Sequence, residues 1–272
     1  MYSSSSLSKR LLLVTILAVV ATQLFLMRTV SSLNLTNAYL HHKCLVSQGK
    51  YKPGSLHDIN YNKIIKSLSN DTYAFRTGYS MTPLGEESDL ASVTFQCRGD
   101  SYGNKCRSCF ATAQSELRKK CPRDKGAIIW YDQCFVEFSS FDTTGQINYD
   151  DGFCMTSAKN VSGDRISFEK TFLVLVGEMT QVAVTKKQKI IKNYDKPAMY
   201  AAGEKRLGKK KLYVMVQCMV DLNEKGCREC LSHMVVHYQD CYRDKQGARV
   251  FGGSCSFRFE LYPFVNPKTS PN

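Results

Sequence analysis

The sequence predicts an α+β fold of two tandem disulfide-rich domains, each with two helices packed on one face of an antiparallel β-sheet. Three observations carry this: a duplicated cysteine pattern, helical stripes that place the cysteines on a buried face, and period-two alternation at the end of the second repeat. Cys97, Cys106 and Cys109 form C-x8-C-x2-C, and Cys218, Cys227 and Cys230 repeat it 121 residues later. Cys121 and Cys134 recur as Cys241 and Cys255, and Cys44 answers Cys154. Six positions matched twice over point to a tandem duplication. Flanking residues agree: Asp124-Lys125-Gly126-Ala127 answers Asp244-Lys245-Gln246-Gly247-Ala248. The expected division is a leader over 1–32, domains over 33–142 and 147–264, and a polar tail over 265–272.

In the first repeat, Ser55 is placed to cap a helix whose apolar positions Leu56, Ile59, Ile64 and Leu68 recur at helical spacing, with Asn70-Asp71 as its stop. Tyr73 to Tyr79 and Val93 to Cys97 read as strands. A second helix is expected from Asn104 to Lys120, with the stripe Cys106, Cys109, Phe110, Ala113 and Leu117 toward the core. Its counterpart carries Cys227, Cys230, Leu231, Met234 and Tyr238. Ala127 to Trp130 and Gln133 to Phe138 close the first repeat as strands. The second repeat supplies Arg165 to Thr185 as a helix, then Leu212 to Gln217 and Arg249 to Tyr262 as strands. Cys255, Phe257, Phe259 and Leu261 alternate with Ser256, Arg258, Glu260 and Tyr262, the signature of a half-buried strand with one solvated face.

The leader has Lys9 and Arg10, an apolar run from Leu11 to Leu26 and small residues at Ser31 and Ser32, which reads as a cleaved secretory signal peptide. No later stretch is long and apolar enough to span a bilayer, so a soluble extracellular protein is expected. An even cysteine count suits that oxidising route and favours disulfides. Sequons at Asn34, Asn70 and Asn160 are expected glycosylation sites. The formal charge of +13 falls to near +10 once Lys9, Arg10 and Arg28 leave with the leader. That charge favours anionic polysaccharide or membrane surface over nucleic acid outside the cell.

The doubled C-x8-C-x2-C behind a signal peptide, with Gly247-Ala248-Arg249-Val250 before Cys255-Ser256-Phe257-Arg258-Phe259-Glu260, resembles the plant cysteine-rich repeat secretory proteins. Their domain is homologous to the seed antifungal protein ginkbilobin. Spacing alone leaves fifteen pairings per repeat open. The resemblance implies Cys44 with Cys121, Cys97 with Cys106, Cys109 with Cys134, Cys154 with Cys241, Cys218 with Cys227, and Cys230 with Cys255. It also implies a mannose site built from an Asn, an Arg and a Glu. The second repeat keeps Arg249 and Glu260 but has Met155 in place of the Asn; the first has Leu45, Ile128 and Ser139. The ordinary alternative for Arg249 and Glu260 is a cross-strand ion pair on an exposed sheet face.

Other chemistry is weaker. Cys106-x-x-Cys109 and Cys227-x-x-Cys230 have metal or redox spacing, yet the doubled set of six favours structural bridges. His233 and His237 stand at i, i+4 without a metalloprotease glutamate and lie off the apolar stripe, so they read as surface histidines. Gly252-Gly253-Ser254-Cys255 reads as a hairpin turn. No catalytic constellation, cofactor or metal is predicted. Lys186, Lys187, Lys189, Lys192 and Lys196, then Lys205, Arg206, Lys209, Lys210 and Lys211, form a basic stretch where the second repeat is longer than the first. It reads as a solvated loop and edge strand or as a docking patch for acidic wall polysaccharide or anionic membrane. The functional expectation is a secreted, non-enzymatic binding protein of plant stress or defence, engaging carbohydrate or another cysteine-rich repeat ectodomain. The competing expectation is a basic antifungal effector acting on hyphal membranes or wall.

Overall fold

A computed structural model of the chain describes residues 37–185 and 199–265. The expected signal peptide, Asn34, the lysines at 186, 187, 189, 192 and 196, and tail residues 266–272 lie outside these. All elements below belong to one compact unit, Tyr39–Asn272.

The first repeat runs β1 (Tyr39–Cys44), α1 (Leu56–Asn70), α2 (Thr72–Thr77), β2 (Tyr79–Leu84), β3 (Ala91–Cys97), α3 (Asn104–Lys120), β4 (Ala127–Tyr131) and β5 (Cys134–Ser139). The second runs β6 (Gly152–Thr156), α4 (Arg165–Thr185), β7 (Tyr200–Leu207), β8 (Lys210–Cys218), α5 (Glu224–His237), α6 (Gln239–Tyr242), β9 (Ala248–Gly252) and β10 (Cys255–Glu260). Each repeat makes one five-stranded antiparallel sheet, ordered β1-β4-β5-β3-β2 and β6-β9-β10-β8-β7. The two orders are the same path through the sheet, as a duplication requires.

Ser55 caps α1 by accepting from the Asp58 amide. The face it buries differs from the expected stripe: His57, Tyr61, Ile64 and Leu68 point inward, whereas Leu56 and Ile59 are exposed. The His57 ring is held inside by a 2.8 Å hydrogen bond to the Leu90 carbonyl. Tyr73 to Thr77, expected as strand, is helical. Asp71 accepts from the Ala74 amide at 2.9 Å to start the turn, and Gly78 ends it with a φ of 75°, so local capping overrides aromatic strand propensity. Helix α3 buries the predicted stripe of Cys106, Cys109, Phe110, Ala113 and Leu117. Helix α5 buries Cys227, Cys230, Leu231 and Met234, with Tyr238 just beyond its end. The stretch Arg249 to Tyr262 is two strands, β9 and β10, joined at Gly253-Ser254.

Six disulfides join Cys44 to Cys121, Cys97 to Cys106, Cys109 to Cys134, Cys154 to Cys241, Cys218 to Cys227, and Cys230 to Cys255. In each repeat two of the three tie one helix, α3 or α5, to inner strands of the sheet, β3 and β5 or β8 and β10.

Each sheet buries one face against its helices. Val93, Phe95, Val136 and Phe138 pack there in the first repeat, Val214, Val216, Phe257 and Phe259 in the second. The opposite faces of the two sheets meet. Ile128, Trp130 and Phe135 form a second core there with Phe153, Met219 and Phe251 of the other repeat. Every residue of β3, β4 and β5 is therefore buried, and the half-solvated reading of β10 is corrected: Arg258 is only 4% exposed. Cover on both sides leaves only β4 as a continuous apolar run, whereas β3, β5 and β10 keep their polar and apolar alternation with the polar side chains buried between the sheets.

Candidate functional site at the inter-repeat interface

Two glutamines 121 residues apart define the pseudo-two-fold relation between the repeats. Gln96 of β3 donates to the Cys218 carbonyl at 2.7 Å and accepts from the Val220 amide at 2.9 Å. Gln217 of β8 donates to the Cys97 carbonyl at 2.9 Å and accepts from the Gly99 amide at 3.2 Å. Each amide thus satisfies one donor and one acceptor that strand ends would otherwise leave unpaired in the interface. Trp130 adds a 3.0 Å bond from its indole nitrogen to the Gly252 carbonyl. Gly99 admits the Tyr200 ring of the second repeat where any Cβ would strike it.

One end of this interface is a closed charge network. Asp132, at the turn between β4 and β5, accepts from Arg98 at 2.9 Å, from Arg249 at 2.9 Å and from Arg258 at 3.3 Å. Arg98 also grips Asp100 through two nitrogens, at 2.5 and 3.0 Å. Arg258 donates twice to Glu260, at 3.1 and 3.0 Å, while the Phe264 ring covers its guanidinium. Buried charges of both signs are interleaved, so each has an opposite partner.

The sequence-predicted ligand residues lie in and beside this network. Arg249 and Glu260 approach to 4.0 Å, but Arg249 is directed to Asp132 of the other repeat. Glu260 is 7% exposed and is already taken by Arg258. The exposed sheet face expected for this pair does not exist, because the first repeat covers it. Met155 of β6 pairs with Arg249 across the ladder and is 42% exposed. The three are neighbours, and the Arg and Glu side chains are engaged by the protein itself.

The other end is open. A cavity of about 310 Å3 is lined by Glu137 of β5, Asp151 before β6 and Asp221 after β8. Lys43 of β1 neutralises Asp151 at 2.5 Å, and Asn148 donates to the other oxygen of Asp151 at 2.7 Å. Asp221 accepts the Gly145 amide on Oδ2, while its buried Oδ1 has no partner among the described residues. Glu137, 8% exposed, has no hydrogen bond or ion pair among the described residues. Burial, reinforced by Asp151 and Asp221, pushes its carboxyl up to about 8. Sequence reasoning missed this cavity because its acids are dispersed along the chain and Glu137 reads as the polar side of an ordinary strand.

Elsewhere, His233 and His237 stack with centroids 5.1 Å apart, and His237 is exposed while His233 is half-buried against Tyr149. Among the described residues, the one group of three ligand-type atoms close enough to share a metal is His42, Cys44 and Cys121, and its two sulfurs form a disulfide. The sequon residues Asn70 and Asn160 are both exposed. Lys205, Arg206, Lys209, Lys210 and Lys211 fall on the hairpin of β7 and β8, with β7 the edge of the second sheet.

A duplicated domain with this cysteine framework and paired sheets is a shared design. The family described as salt stress response/antifungal matches residues 43–141 and again 153–262, which accounts for both repeats. The chain belongs to this family. It is 62% identical over 272 residues to cysteine-rich repeat secretory protein 18 of Arabidopsis thaliana, covering 98% of each. In fold it is similar to the tandem DUF26 ectodomains of two Arabidopsis thaliana cysteine-rich receptor-like proteins. For PDLP8 the TM-score is 0.67 at 19% identity, over 83% of this chain and 99% of that one. For PDLP5 it is 0.64 at 19% identity, over 83% and 100%. The relative is named a cysteine-rich repeat secretory protein, and the structural neighbours are ectodomains of cysteine-rich receptor-like proteins. No helix among the described residues is long and apolar enough to cross a membrane.

Proposed function

We propose that the chain is a non-enzymatic binding protein of the plant apoplast, acting in stress or defence, that docks on anionic wall polysaccharide through the basic edge of its second sheet. The observation that carries this reading is the β7–β8 hairpin. It gathers Lys205, Arg206, Lys209, Lys210 and Lys211 within seven positions, all but the half-buried Lys205 exposed. Glu178 pairs with Lys205 and Glu204 with Lys211, while Arg206, Lys209 and Lys210 have no ion pair among the described residues. A polyanion is held by such an edge through many weak, salt-screened contacts. Carbohydrate docking belongs here rather than at Arg249 and Glu260, whose charges are engaged inside the protein.

Retention of the mature protein on immobilised pectin is expected to fall steeply with salt. Replacing Arg206, Lys209 and Lys210 by Gln is expected to shift elution to lower salt without lowering stability. Unchanged retention of the triple variant overturns the docking edge. Anionic liposome leakage, measured in parallel, reads the antifungal alternative: leakage that the triple variant abolishes while pectin retention persists favours a membrane effector.

A second reading, recognition of another cysteine-rich repeat ectodomain, is favoured by the fold shared with receptor ectodomains. Exposed Ile166, Leu173 and Val174 of α4 and Val236 of α5 give that reading an apolar surface.

A further inference from the structure

The open end of the interface is short of positive charge, and its pseudo-symmetric twin shows what is missing. At the closed end Arg98 neutralises Asp100. The equivalents 121 residues on are Met219 and Asp221, so the second aspartate has lost its arginine. Asp221 Oδ1 is accordingly buried without a partner among the described residues. Glu137 occupies the position of Arg258, and Met219 and Gly253, which stand where Arg98 and Asp132 stand at the closed end, carry no charge. Lys43 is committed to Asp151. Two carboxyls therefore line a cavity of about 310 Å3 with no cation of their own among the described residues, one of them more than nine-tenths buried.

An uncompensated buried carboxylate is costly, and a bound cation relieves that cost. A bare metal ion does not fit. The oxygens of Glu137, Asp151 and Asp221 do not converge, since the only close group of potential ligands among the described residues lies elsewhere. The acids instead surround a space of small-ligand size, with Ile147, Met219 and Tyr149 supplying apolar wall. An ammonium group on a short organic body matches both features: its three N–H donors reach separated carboxylates, and its carbon skeleton packs on the wall.

We propose that this cavity, at the Glu137 end of the interface, binds a small organic molecule bearing a primary ammonium group, which takes the place of the missing arginine. Linear polyamines and amino sugars share this chemistry. Because burial, Asp151 and Asp221 hold the Glu137 carboxyl protonated well above the ordinary carboxylate range, binding of the cation near pH 7 expels its proton to solvent. The charged groups that face it are Asp151 with its partner Lys43, and Asp221.

The test is calorimetry on the mature, disulfide-intact protein near pH 7, with putrescine and glucosamine as probes and 1,4-butanediol and glucose as neutral counterparts. Binding of at least one amine is expected, with an enthalpy that varies with the ionisation enthalpy of the buffer. The stronger amine distinguishes polyamine from amino sugar. Glu137→Gln is expected to weaken it about tenfold or more and to remove the buffer dependence. Asp221→Asn, which leaves Glu137 in place, is expected to weaken it by a smaller factor and to keep the proton release. Absence of amine binding, equal binding of the neutral counterparts, or unchanged affinity in both variants overturns the proposal.

Discussion

Arg258 and Glu137 occupy equivalent positions on β10 and β5, and the neighbours they meet are opposite in kind. Around Arg258 stand Asp132 and Arg98 of the first repeat, with Arg249 and Glu260 of its own. Around Glu137 the corresponding positions are Gly253, Met219, Ile128 and Ser139. Each of these four charged neighbours of Arg258 is a neutral residue at the other end, while Asp100 of the lock is matched by the charged Asp221. Duplication fixed the backbone relation, which the reciprocal glutamines still display, while side chains at the two ends diverged into a lock and an opening. A buried network is retained when all its members are satisfied, and one end meets that condition.

Substitutions that unbalance the lock should cost most. Asp132→Ala leaves three guanidiniums with one acceptor fewer, and a loss of about 3 to 5 kcal/mol in urea unfolding is expected. A loss under about 1 kcal/mol shows that the network contributes little to holding the repeats together. Gln96→Ala, which orphans the Cys218 carbonyl and the Val220 amide, should cost about 1 to 3 kcal/mol. Gln217→Ala should cost less, since Gln217 is partly exposed. Equal costs would show that the pseudo-symmetry extends to energetics. Arg249→Ala is expected to cost at most about 1 kcal/mol, because its guanidinium is part-solvated and Asp132 keeps two other arginines. A larger loss places Arg249 among the structural members of the lock.

Much of this fold is legible in the chain. The stripe from Cys106 to Leu117 and its counterpart in α5 set both helices, and the doubled cysteines set the two sheets. Edge strands β1 and β6 escape, because Tyr39–Cys44 and Gly152–Thr156 are short and mixed in polarity. Helix α2 escapes because its aromatic residues favour strand, while the Asp71 cap and the Gly78 stop act through backbone groups. The larger omission is the second buried face. Gln96, Glu137 and Arg258 look like solvent-side residues of alternating strands, and only the unbroken apolar run Ala127–Tyr131 hints that a sheet is covered on both sides. The mannose-type pair Arg249 and Glu260 is legible as a pair, but its partner Asp132 lies in the other repeat.

The asymmetry between the two ends is read most directly from the pH dependence of stability in the wild type and in Glu137→Gln. The folded-state carboxyl of Glu137 is raised to about 8, well above that of an unfolded chain, so the folded protein holds more protons than the unfolded one in between. Stability from this group is complete below about pH 4.5 and is lost as pH rises through about 8, a difference on the order of 2 kcal/mol or more. Burial lowers His57, His41 and His42, which add stability as pH rises, but these act equally in both proteins. The account predicts that Glu137→Gln gains on the wild type steadily from pH 5 to about pH 7.5 and that the gain levels off above about pH 8. A constant difference across that range would mean that Glu137 is neutralised from within and that the two ends are electrostatically alike.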